Sequence, residues 1–226
     1  MATIAMTFLG AMISFIITLV MAQWALGYLD MRVPYDVEIR NNYSNGFLTE
    51  YNITDIKELP QLDYSDIIDC LNDKGYDVDS YCAVEKYFIN KDDFYNTDKN
   101  NVSTIAIKLS DFNKLRSMLG YDEIGLKDNE FTTQWHSAVN DEEINSYIKN
   151  HANLNINGEE LKLSENSYYK ESIGEGIYGS YSNNIIILPD KICDNLTFAE
   201  KNFVANINNE MSYEEADDFQ YKYVNE

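Results

Sequence analysis

The sequence predicts an α+β protein: an N-terminal transmembrane helix followed by a mixed α+β extracytoplasmic domain. Three observations predict it. The 226 residues carry a net charge of −21, yet no charged residue precedes Asp30. Beyond Arg32, short runs of period-two apolar residues alternate with amphipathic stretches bounded by capping residues and glycine stops. An apolar content of 45% is enough to build a core in a chain of this length, which argues against disorder. The predicted boundaries are a helix over 1–31 and an acidic domain over 32–226.

The uncharged start, Thr3 to Leu29, contains only Thr, Ser and one Gln as polar interruptions. It is about 27 residues long, and roughly 20 suffice to cross the hydrocarbon of a bilayer. Thr3, Phe8, Ile13, Phe15, Leu19, Trp24 and Leu29 are its expected anchor residues. Trp24 and Tyr28 stand near the C-terminal end, where amphipathic rings prefer the head-group layer, and Gly10, Ala11 and Ser14 form a strip over which a second helix can pack. A cleaved signal peptide is the rival reading, with Val20 and Ala22 before a cut at Gln23. The apolar run exceeds the usual h-region and lacks a basic n-region, so the uncleaved span is preferred. A chain that enters lipid directly after Met-Ala-Thr reads as a piece of a longer polytopic protein.

In the domain, Val33 to Ile39 alternates as a strand with Val33, Tyr35, Val37 and Ile39 on one face, and Asn41 to Asn45 supplies a turn. Asp63 to Asn72 carries Ile67, Ile68 and Leu71 at helical spacing, with Lys74-Gly75 as the stop. A strand is expected over Tyr76 to Ile89, a loop over Asn90 to Asn101 and a strand over Thr104 to Leu109. Ser110 is the expected N-cap of a short helix using Phe112, Leu115 and Leu119, closed by Gly120, with an extended segment over Glu123 to Leu126. Asn140 caps a helix whose first turn is acidic, favourable at the positive end of the dipole. Asn157-Gly158 between Leu154-Asn155-Ile156 and Leu161-Lys162-Leu163 predicts a two-residue hairpin. Asn184 to Leu188 is a buried strand and Phe203 to Ile207 another. Ser212 with Glu215 forms a capping box for a last helix through about Tyr223.

Charge and motifs narrow the function. A pI near 4.3 excludes a nucleic-acid binder that works by neutralising phosphates, argues against docking on anionic lipid, and favours cationic partners or none. His136 and His151 form no zinc-binding pair, and Cys70, Cys82 and Cys193 lack C-x-x-C spacing. Cys70 and Cys82 are either bonded in an extracytoplasmic setting or free thiols. No G-x-S-x-G and no phosphate-cradling P-loop is present; Gly174, Gly176 and Gly179 read as a mobile turn. Acidic pairs such as Asp92-Asp93, Glu142-Glu143 and Asp217-Asp218 fit solvated helix ends better than glycosidase or calcium chemistry. No catalytic, cofactor or metal residue is expected, and no enzyme activity. Asn42, Asn52, Asn101 and Asn195 lie in sequons that matter only in a eukaryotic secretory pathway. Tyrosine is in excess, 18 residues, and Tyr168, Tyr169, Tyr178 and Tyr181 are the candidate ligand surface, because tyrosine offers rigid amphipathic contact area suited to a cationic peptide. The plainer reading is that these tyrosines fill strand positions.

An apolar helix with an aromatic-rich exit, then about 195 residues containing SDFNKLRSMLGYDEIGLKDNEF (Ser110 to Phe131) and IIILPD (Ile185 to Asp190), resembles the FtsX-like permease subunits of bacterial ABC transporters. The resemblance extends in particular to the branch with one large outer domain, that of the bacitracin-resistance permeases of low-GC Gram-positive bacteria. It covers the whole chain, a span and its outer domain, ending just before a further span is expected. It implies a cell-membrane location, a cytoplasmic ATP-binding subunit as partner and movement of the outer domain to act on antimicrobial peptides or envelope lipids. No catalytic residues carry over. The further spans and cytoplasmic coupling elements of such a permease are not in this chain, which cannot transport alone. The alternative is a single-pass, membrane-anchored extracellular binding or sensor protein. A membrane-anchored hydrolase requires carboxylates that converge.

Overall fold

The computed structural model describes residues 14–24, 34–41, 64–89, 105–178, 184–209, 211–212 and 214–218. Among them, seven helices accompany one eight-stranded mixed sheet, so the α+β expectation holds. Residues 14–24 form α1, every one of them exposed, with Phe15 68% and Trp24 72% open to the surroundings and Leu19 48%. Among the described residues no helix is long and apolar enough to cross a membrane. Thr3, Phe8, Ile13 and Leu29 lie outside the described residues, as do the Asn41–Asn45 turn beyond its first residue and the 90–101 loop.

The strands are β1 (Val37–Asn41), β2 (Val78–Phe88), β3 (Ile105–Lys108), β4 (Glu130–Trp135), β5 (Asn153–Ile156), β6 (Glu159–Tyr169), β7 (Asn184–Leu188) and β8 (Thr197–Ile207), in the spatial order β1-β8-β2-β3-β7-β4-β6-β5. The β3/β7 and β4/β6 pairs are parallel and the rest antiparallel. Alternation along the strands sends side chains to two cores. On one face, α3 (Leu109–Met118) and α5 (Glu175–Tyr178) lay Phe112, Leu115, Ile177 and Tyr178 over Val84, Ile105, Ile107, Ile185 and Ile187. On the other face, α6 (Asp190–Cys193) covers Ala106, Ile186 and Leu188, while α2 (Tyr64–Asp73) sets Ile67 and Leu71 on Val37, Phe203 and Ala205. β7 is buried at all five positions because both of its faces are covered. Helix α4 (Asp141–Asn150) packs Ile144 and Tyr147 on Trp135 and Val139, and residues 214–218 form α7.

Several local expectations are met. Asn140 accepts the Glu143 N–H at 2.8 Å as the α4 cap. Asn157 and Gly158 take φ of 52° and 90° in the β5–β6 hairpin, the positive values that this turn requires. Ser212 and Glu215 bond reciprocally before α7.

Others are corrected. Helix α3 starts at Leu109, straight out of β3, so Lys108 rather than Ser110 is its N-cap and no side chain of its own caps it. Instead the Asp190 carboxylate, from α6, accepts the Ser110 N–H at 3.0 Å. Glu123 to Leu126 joins no strand; the Asn113 side chain meets Ile124 with two 2.9 Å hydrogen bonds and satisfies the backbone as a strand partner does. Strand β4 has no counterpart among the elements expected from the sequence.

Candidate functional site

The described candidate tyrosines do not share a surface. Tyr168 packs beside Trp135 and Tyr147 in the α4 cluster. Tyr169, the next residue on β6, turns to the α3 side, edge-on to Phe112 at 5.9 Å and beneath the Arg116 guanidinium at 4.8 Å. Tyr178 is 4% exposed and its hydroxyl accepts a 2.8 Å hydrogen bond from Gln134. Tyr181 lies outside the described residues. Gly174 carries a turn, at φ 89°, that leads into helix α5.

Cys70, Cys82 and Cys193 are free thiols, with burial pushing the latter two above the usual thiol range. His151 ends α4 as a buried cap, its ring stacked on Tyr147 and its Nδ1 2.8 Å from the Tyr147 carbonyl. His136 is a turn residue accepting the Ala138 N–H. Among the described residues no three His, Cys, Asp or Glu converge as a metal site.

The chemistry that does converge is charged and buried. On the face of the sheet under α5, β1 contributes Glu38 and Arg40, β2 contributes Lys86, and β8 contributes Glu200 and Asn202. Lys86 and Glu200 are directly opposite each other in the β2/β8 register and Arg40 is opposite Asn202. Lys86 Nζ donates to Glu200 Oε1 at 2.6 Å and to the Gly176 carbonyl at 2.8 Å, and Asn202 Nδ2 donates to the same carbonyl at 3.0 Å. Lys86 and Asn202 are fully buried and Glu200 nearly so. Burial lowers the Lys86 proton affinity to about 8, against the opposing pull of Glu200. A Cβ on Gly176 would stand 1.5 Å from Glu38 Oε1, so only glycine fits over this cluster without displacing the carboxylate.

A second charged group lies where β3 leaves the sheet. Lys108 bonds Asp194 at 2.9 Å and faces Glu85 at 3.7 Å, and the Tyr87 hydroxyl donates to Glu85. Asp111, in the first turn of α3, accepts the Glu85 N–H at 3.3 Å, a donor that the departing strand no longer serves. Burial above all raises the Asp111 carboxyl to about 6. A third group, Arg116 paired with Glu171 and packed on Phe112, Tyr121 and Tyr169, anchors α3 to the segment after β6.

Lys86, Glu200 and Asn202 lie outside the set of candidate tyrosines. Their signal was period two: Lys86 alternates with Val84 and Cys82, and Asn202 and Glu200 alternate with Val204, which places charges on an apolar face. These groups tie neighbouring elements together through charge-assisted hydrogen bonds. The chain matches no protein-family model, no curated protein and no solved structure.

Proposed function

We propose that this chain is one membrane span and the outer domain of an FtsX-like permease of a bacterial ABC transporter. In this reading the domain stands outside the cell membrane, has no enzymatic activity of its own and is moved by a cytoplasmic ATP-binding subunit, through parts of the permease outside this chain. Its action is on antimicrobial peptides or envelope lipids.

The observation that carries the reading is where the domain begins and ends. β1 and β8 are antiparallel neighbours, Val37 opposite Ala205, and Asp36 accepts the Ile207 N–H at 2.8 Å. A domain inserted between two membrane spans needs its two ends side by side, so that a change in helix spacing reaches it through both. The exposed apolar side chains of α1 before β1 and the capped helix α7 after β8 suit two such stalks. The same neighbouring ends support movement of the domain as one body, because both connections act on a single pair of strands.

The test is affinity purification of the tagged full-length gene product from native membranes in mild detergent. Recovery of a stoichiometric ATP-binding subunit, together with protease access to residues 34–209 from outside spheroplasts, is expected. A product that extracts as a soluble protein, or a gene ending at Glu226 with no further spans nearby, overturns the reading.

A further inference from the structure

Lys86 joins two elements through one ammonium group, bonding Glu200 on β8 and the carbonyl of Gly176 on α5. The same Glu200 oxygen, Oε1, has a second cation 3.9 Å away: Arg40 of β1, whose side chain is 38% exposed and so has room to move. The other carboxylate oxygen, Oε2, is buried and accepts no hydrogen bond. One carboxylate therefore faces two cations, one of them tied to α5 and the other not.

We propose that Lys86, Glu200 and Arg40 form a proton-controlled handover: when Lys86 loses its proton, Glu200 passes to Arg40 and the hold of β2 on α5 loosens. A buried carboxylate left without a counter-charge is strongly unfavourable. The planar guanidinium fork of Arg40 can serve Oε1 and the vacant Oε2 together. The Gly176 carbonyl then exchanges a charge-assisted hydrogen bond for a neutral one and retains Asn202.

The surroundings isolate the event. Glu38 and Arg40 face Lys86 from β1, Glu200 and Asn202 from β8, and the Gly176 carbonyl from α5. Around the same core, Tyr35, Cys82 and Tyr178 are held neutral by burial, while α3 brings Asp111 and Lys114 beside Cys82, and Arg116 paired with Glu171. α3 and β3 present Phe112, Leu115, Ile105 and Ile107 to the same core. Burial, outweighing the attraction of Glu200, brings the Lys86 transition to about 8, well below that of a surface lysine.

The test uses the full chain in detergent micelles, with lysine labelled at Cε for NMR and with hydrogen exchange followed over residues 173–178. The Lys86 resonance is identified by its absence in Lys86→Met and, should that variant not fold, by its displacement in Arg40→Gln. A Lys86 midpoint near 8 is expected, with exchange across α5 accelerating about tenfold between pH 7 and pH 9 beyond intrinsic base catalysis. Arg40→Gln removes both a like charge and the receiving cation, so it moves the midpoint and the acceleration to higher pH. A Lys86 midpoint above 10, α5 exchange that follows intrinsic rates alone, or an Arg40→Gln profile identical to wild type overturns the handover.

Discussion

The Asp36 carboxylate accepts the backbone N–H of Ile207 at 2.8 Å, tying the first described turn of the domain to the last residue of its longest sheet pairing. Among the described residues, the four hydrophobic clusters draw on the range between Tyr35 and Met211. Residues 34–212 expressed without α1 and α7 are therefore expected to fold alone and unfold in a single cooperative urea transition. Aggregation, or a broad transition with no native baseline, would show that the domain depends on what flanks it.

Asp111 gives a pH dependence of definite sign. Its folded carboxyl titrates at about 6 against 3.8 ordinarily, so between those values the native state holds a proton that the unfolded chain has released. Stability from this group is present at low pH and is lost as pH rises through about 4 to 6. Asp111→Asn keeps an acceptor for the Glu85 N–H and removes the charge. It is expected to stabilise the protein by about 1–2 kcal/mol at pH 7.5, a figure reduced from the full shift for partial solvent screening, and by nothing at pH 3.5. Paired urea titrations at the two pH values measure the difference; an equal effect at both would assign it to packing.

The same contrast between local and long-range chemistry separates what was legible in the sequence from what was not. Asn140, Asn157-Gly158 and Ser212 with Glu215 act within four residues of themselves, so their caps and turn could be read directly. β4 could not, because EFTTQW shows no apolar alternation, though five of its six residues are buried. Its polar side chains find partners far along the chain: Thr132 and Thr133 donate to the carbonyls of Asn166 and Ser167 at 2.7 and 2.9 Å, across the irregular stretch of β6, and Gln134 Nε2 reaches Glu171 and Tyr178. The Ser110 cap was misplaced for a related reason, since its partner Asp190 is 80 residues away. Tyr178, one of the four candidate surface tyrosines, is buried, and its hydroxyl is bonded inside the core by Gln134, a partner 44 residues away in the chain.

Gly176 is predicted to resist substitution because of what lies beside it. A Cβ there meets Glu38 Oε1 at 1.5 Å and Cδ at 2.5 Å, a clash relieved only by moving a carboxylate within a buried charged cluster. Gly176→Ala is expected to cost about 1–3 kcal/mol. Adding Glu38→Ala empties the colliding space, so the double variant should be less than additive by a measurable part of that cost. Full additivity in denaturant unfolding would place the strain of Gly176→Ala in the α5 backbone instead.

Lys86 and Glu200 are predicted to be more costly to separate than to remove together. Lys86→Met leaves the Glu200 carboxylate at 1% exposure with Arg40 as its nearest cation, 3.9 Å away in the native arrangement. Breaking a buried pair in this way typically costs about 3–5 kcal/mol, and replacing both members with apolar residues of similar volume is often near neutral. Lys86→Met with Glu200→Leu should therefore recover most of the loss of Lys86→Met. The recovery is incomplete to the extent that Asn202 alone must then hold the Gly176 carbonyl. The wild-type pair also carries a pH signature that the double variant lacks. Because Lys86 binds its proton less tightly folded than unfolded, the unfolded chain takes up the extra proton between about pH 8 and 10.5, and stability from this group rises with pH across that window. Urea midpoints from pH 7 to pH 10 should accordingly rise more steeply, or fall less, in wild type than in the double variant, and parallel curves would mean that Lys86 keeps its charge in the fold.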